Sequence, residues 1–213
     1  MLKDIVVSVS DSYPKFKEFN GATNCISVLY FLEIKGYFAG VYSKIIIDVT
    51  PGVVEKKVSL MDVLVVHVSF DFDSFWEAKD KKKFLLDFIS STMIRLAERM
   101  GWDASPLQKA YDTLKSKSLD LFLVLGKRVG SPNRKLQCQL GLYYEMSFIS
   151  LVLQIFDAKS DALVGEKEII RTEPHDFFIA PYVGRLKWKS NEIVLYSSKD
   201  GSIQNREFCV IEP

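Results

Sequence analysis

The chain has 213 residues, 48% of them hydrophobic and 26% charged, a globular balance that argues against disorder. Its 28 basic and 27 acidic residues leave a net charge of +1, too small a footprint for a nucleic-acid or membrane-surface binder. Cys25, Cys138 and Cys209 are odd in number and far apart, so neither a disulfide framework nor a CxxC metal pattern is expected.

The thiols fit a reducing compartment. Met1-Leu2-Lys3-Asp4-Ile5 lacks the apolar run of a signal peptide, and no apolar run reaches the ~20 residues of a membrane span. A soluble, cytoplasmic protein is the expectation. The length suits one large domain or two small ones. One continuous domain over residues 1–213 is expected, with the short run 116–118 as the place for a division.

In chain order, Ile26, Val28, Tyr30, Leu32 and Ile34 alternate with period two and predict a strand. Val41, Ser43, Ile45, Ile47 and Val49 predict its hairpin partner, with Gly36 and Gly40 flanking the connection. Pro51-Gly52 predicts a turn. Residues 58–70 are apolar on nearly both faces and predict one central strand covered on two sides.

Two helices follow. Ser74-Phe75-Trp76-Glu77 has the form of a capping box, and Leu85, Phe88, Ile89, Met93, Leu96, Ala97 and Met100 keep helical spacing. The charged run 79–83 interrupts that phase, so residues 74–78 are either a separate turn or a projecting end. Gly101 suits the C′ position, and Ser105-Pro106-Leu107-Gln108 is a second capping box, with proline at the first helical position, opening a second helix.

Strands then return. Residues 119–125 are short and apolar, and the glycine-bearing cationic segment 126–135 reads as an exposed loop. It lacks the order of a phosphate-binding loop. Residues 136–144 alternate cleanly, with Gln137, Gln139, Gly141, Tyr143 and Glu145 on the open side. Residues 148–156 and 166–172 form a hairpin around 157–161, and residues 193–198 and 203–211 another around Asp200-Gly201. The expected order is about four strands, two helices and about six strands. This is an α+β fold of mostly antiparallel sheet with the helices packed upon it.

Polar chemistry concentrates in Arg171-Thr172-Glu173-Pro174-His175-Asp176-Phe177-Phe178. A catalytic reading makes His175 a general acid or base oriented by Asp176 or Glu173. No nucleophile with a recognisable context accompanies it, so an ordinary hydrogen-bonded loop histidine is the stronger expectation. His67, within a run of valines, reads as a packed residue with one ring nitrogen bonded rather than a metal ligand. Asp71 and Asp73, although paired carboxylates, read as helix-capping acids.

Residues 177–189 carry too many apolar groups for a simple loop. Tyr182, Arg185, Lys187 and Trp188 are residue types enriched at interfaces. Together with Tyr143 and Glu145 they make a candidate partner-binding surface. The expectation is a non-catalytic module that binds one protein partner, of the inhibitor or immunity type that blocks a toxin or enzyme. A small hydrolase or transferase using His175 is the alternative, and a structural subunit of an assembly the third reading. No cofactor, metal, nucleic acid or membrane is expected, and the oligomeric state is left open.

Overall fold

The computed structural model describes residues 1–10, 12–51 and 56–210. Gly52 of the expected turn and Ile211 of the expected last strand lie outside them. Two units divide the chain, Met1–Leu119 and Asp120–Pro213, and the division falls just after the 116–118 run.

In the first unit, β1 (Asp4–Val9) leads through α1 (Phe16–Glu33) into β2 (Lys44–Thr50), which pairs parallel to β1. Then come β3 (Lys56–Leu60), β4 (Val63–Ser69), α2 (Phe72–Glu77), α3 (Lys81–Met100) and α4 (Ser105–Lys115). The sheet order is β1-β2-β4-β3, with β4 parallel to β2 and β3 antiparallel to β4. A parallel pair needs a long crossover, and α1 is that crossover.

The strand expected across residues 26–34 is therefore helix. Its buried positions include Phe19, Ala22, Thr23, Ile26, Ser27 and Tyr30, a stripe at helical spacing. Ala22, Thr23 and Ser27 in that stripe are small, which hides it from a hydrophobicity pattern. Ile26, Tyr30 and Ile34 recur every fourth residue as well as every second, and all are buried, whereas Leu32 is exposed. Gly36 and Gly40 accordingly join a helix to a strand and form no hairpin.

The expected single strand over residues 58–70 is also corrected. It folds back at Met61, whose φ is 54°, so that β3 and β4 pair as a hairpin. Leu64, Val66 and Val68 are buried, while Val63, Val65 and His67 are half-exposed, so its second face is not the sealed one that the pattern implied.

Helix starts are set by aspartates. Asp71 accepts from Ser74 N at 3.0 Å, and Asp80 accepts from Lys83 N at 2.9 Å; Ser74, expected as the N-cap, instead donates its hydroxyl to Asp71. Asp103 accepts from Ser105 N at 2.9 Å, in place of the second expected capping box. Gly101 closes α3 with φ 68°, as expected of a C′ glycine. Phe19, Phe70, Phe72 and Phe75 meet edge-on around the start of α2, the arrangement that ring quadrupoles favour.

In the second unit, β5 (Leu121–Gly130), β6 (Leu136–Tyr144), β7 (Ile149–Asp157) and β8 (Leu163–Thr172) form an antiparallel meander in that order. A short helix α5 (Asp176–Ile179) and a 3-10 turn (Ala180–Tyr182) follow. Then β9 (Arg185–Trp188), β10 (Ile193–Ser197) and β11 (Arg206–Cys209) make a second antiparallel sheet, ordered β11-β10-β9.

The expected loop over residues 126–135 is half strand. Gly126, at φ 70°, and a register shift between Leu125 and Val129 form a bulge, beyond which β5 continues to Gly130. Cys138, Leu140, Leu142, Leu151, Leu153 and Ile155 are buried on one face of the meander, each stabilising by roughly 1.5–3 kcal/mol for a full-sized apolar side chain. Burial pushes the Cys138 thiol up to about 12, so it packs as a small apolar group. Cys25 is buried likewise, whereas Cys209 is exposed. At Gly184 a Cβ would lie 1.9 Å from Ser197 O, so only glycine lets this turn run against β10.

The fold is thus α+β with antiparallel pairing prevailing. The first sheet is largely parallel, and helix α1 breaks the expected opening block of strands. Among the described residues no helix is long and apolar enough to cross a membrane.

Candidate partner-binding surface

The proline-histidine stretch builds α5. His175 stands at its N-cap in extended conformation, and Nδ1 accepts from Phe177 N at 3.1 Å. As an acceptor, Nδ1 carries no proton, which leaves the ring proton of the neutral imidazole on Nε2. Asp176 accepts from the Tyr144 hydroxyl at 2.9 Å. Burial, reinforced by the Asp176 charge, raises the Tyr144 hydroxyl well above its ordinary pKa. Glu173 is exposed and meets His175 through the backbone, its carbonyl accepting from His175 N at 2.8 Å. Of the two carboxylates expected to orient the imidazole, Asp176 is thus bonded to Tyr144, and Glu173 meets the histidine through its backbone.

Ile179 anchors the helix at 2% exposure, while Phe177 and Phe178 are 74% and 45% exposed. Their rings meet edge-on with centroids 5.7 Å apart, and the His175 ring lies 6.3 Å from Phe178. Capping and anchoring fix the backbone of this turn, and the two phenyl rings project from it.

The other face of the meander carries a directed hydrogen-bond chain, and it is not the open side expected from the alternation, since Gln139 and Gln154 are buried there. Arg128 Nε donates to Gln139 Oε1 at 3.1 Å, Gln139 Nε2 to Gln154 Oε1 at 3.2 Å, and Gln154 Nε2 to Glu166 Oε2 at 2.9 Å. The Tyr143 hydroxyl closes on the same Glu166 oxygen at 3.0 Å. Charge therefore runs from a guanidinium at one end to a carboxylate at the other, each amide oriented by its neighbours. The Arg128 guanidinium lies 3.7 Å from the Phe156 ring centroid and is paired with Asp161. Phe122 covers Gly141, where a Cβ would lie 2.1 Å from its ring.

A second cluster occupies the same sheet beside β8. Ser150 Oγ donates to Glu168 at 2.7 Å, and Arg171 Nη2 donates to the same oxygen at 2.7 Å while its guanidinium stacks 4.0 Å over Phe148. These donors, Ser150 first and Arg171 next, lower the Glu168 pKa below the usual carboxylate range.

The residues expected to form one partner-binding patch point in different directions. Side chains alternate along a strand, so Arg185 and Lys187 are exposed on one side of β9 while Trp188 is 8% exposed on the other. The Trp188 indole N–H donates to Val129 O at 2.9 Å, making it an internal tie between β9 and β5. Tyr182 is half-buried, and its carbonyl accepts from the Tyr196 hydroxyl. Glu145 is half-buried at the β6–β7 turn, its N–H donating to Phe148 O at 2.9 Å. Tyr143 is brought to Glu166 and Gln154.

Sequence reasoning missed Arg128, Gln154, Glu166 and Glu168. Arg128 was hidden in an apparent loop, and Gln154 in an otherwise apolar strand. In the first unit, His67 Nδ1 lies 2.8 Å from Asp48 Oδ2, its register neighbour on β2, and Asp71 is the cap expected of it. Comparison with protein-family profiles, curated proteins and solved structures finds no match to this chain.

Proposed function

We propose that the chain is a non-catalytic protein-binding module whose contact surface centres on Phe177 and Phe178. The observation that supports this is their joint exposure, 74% and 45%, on a turn fixed by the His175 cap and the Tyr144–Asp176 bond. Single exposed apolar side chains are ordinary, but adjacent aromatic rings on a rigid, polar-rimmed base resemble an interface anchor. Arg171, Glu173 and Asp176, all exposed, would form the rim. Pre-ordering of these groups reduces what association must spend on immobilising them.

The proposal takes an inhibitory form, of the inhibitor or immunity type: the paired rings enter a pocket on one partner toxin or enzyme and block it. Arg185 and Lys187 would add a separate cationic edge that speeds encounter with an acidic partner. A hydrolase or transferase reading would need His175 oriented by Asp176 or Glu173, and no contact described here favours it. Alanine at Phe177 and Phe178 tests the proposal through partner affinity.

A further inference from the structure

We propose that the cleft at the C-terminal ends of α1 and α3 binds a small quaternary ammonium ion. It has a volume of about 440 Å3, and Tyr37, Phe38, Trp102, Glu33, Lys35 and Asp103 line it. The walls are the segment leaving α1 and the segment leaving α3, brought together within the first unit.

Three aromatic side chains give the cleft the composition of a cation-π site, in which ring quadrupoles attract a carbon-clad cation. Tyr37 is 7% exposed and donates its hydroxyl to Asp103 O at 2.8 Å, whereas Phe38 is 67% exposed. Trp102 is half-buried against Gly40, where a Cβ would stand 3.3 Å from Nε1. The φ of Gly40, 60°, also favours glycine.

The helix-end electrostatics have the same sign. Both helices end at the cleft, α1 at its C-cap Ile34 and α3 at its C-cap Gly101, and each C-terminus carries about half a negative charge. Asp103 stays ionised because the Ser105 backbone N–H lowers its pKa. Glu33 adds a second carboxylate, 3.4 Å from Lys117 Nζ. Lys35, on an exposed side chain, and Lys117, paired with Glu33, are the opposing charges. A quaternary ammonium requires no directed acceptor and is weakly hydrated, which suits aromatic walls better than the close oxygen shell a metal ion demands.

The test is titration with choline chloride, followed by tryptophan fluorescence and by the amide resonances of Gly36, Gly40 and Gly101. Its neutral carbon isostere, dimethylbutanol, is titrated in parallel. Saturable choline binding in the ~1 mM range, at least roughly fivefold tighter than the alcohol, is the expected result. Phe38→Ala and Glu33→Gln should each weaken it roughly threefold or more, and Lys35→Gln should tighten it. All three positions are exposed, and unchanged melting temperatures will show that the variants fold. No saturable shift, equal affinity for the alcohol, or unchanged affinity in both weakening variants overturns the proposal. Substitution of Phe177 and Phe178 should leave choline binding as it was, which separates this site from the proposed protein contact.

Discussion

The Tyr144 hydroxyl donates to the Asp176 carboxylate at 2.9 Å, joining a side chain 5% exposed at the end of β6 to the first turn of α5. That bond bears on the chemistry of the His175 segment. It removes Asp176 from the imidazole and holds the turn that displays Phe177 and Phe178. A catalytic reading that relies on Asp176 would need that carboxylate on the imidazole instead.

Tyr144→Phe should therefore destabilise the protein by about 1 kcal/mol or somewhat more, since the acceptor is ionised. Hydrogen exchange should rise at the amides of α5 while the β6–β7 pairing stays protected. Equal protection of α5 in both proteins would show that the bond does not hold the helix.

Trp188→Ala should cost about 3–5 kcal/mol of stability, as expected for truncating a large buried aromatic, with loss of the Val129 bond included. Lys187→Ala and Arg185→Ala, on the exposed side of β9, should stay within about 0.5 kcal/mol. Urea unfolding of the three variants distinguishes them. A mild Trp188 variant would return that side chain to the surface.

Alkaline pH should weaken both units. Burial pushes the Tyr30 and Tyr196 hydroxyls from 10.0 up to about 12. A group whose pKa is raised on folding contributes stability that is present below its unfolded value and lost as pH rises. Stability should thus decline between about pH 10 and 12, and phenolate absorbance should lag the titration of free tyrosine. Tyr196→Phe should reduce the loss attributable to the second unit, with Tyr144 contributing the remainder. An unchanged slope would remove Tyr196 from this account.

Much of the second unit was legible in the sequence because its strands alternate or run apolar between clear turn signals. Residues 136–144 alternate cleanly and become β6, and the hairpin joining β7 to β8 is where the pattern placed it. The first unit was harder. The α1 core face uses Ala22, Thr23 and Ser27, residues that a hydrophobic period does not register, and its apolar residues also satisfy period two. Bulges were equally hidden, since nothing but Gly126 marks the point where β5 resumes.

The site was legible only in part. His175, Asp176 and the aromatics beside them were noticed, but sequence adjacency cannot tell which atoms meet. Trp188 and Lys187 are neighbours that face opposite ways, while Tyr143 and Glu166, 23 positions apart, share a bond. Tyr37, Phe38 and Trp102 come together from segments well separated in sequence, and no local pattern announces that cleft.

The most direct test is affinity capture from the native lysate with wild-type protein and with the Phe177→Ser/Phe178→Ser double variant, followed by calorimetric titration of the recovered partner. The account predicts one stoichiometric protein on the wild-type bait and at least a tenfold loss of its affinity, roughly 1.4 kcal/mol, for a variant of unchanged melting temperature. Equal affinity for both baits, or no stoichiometric protein on either, would contradict it.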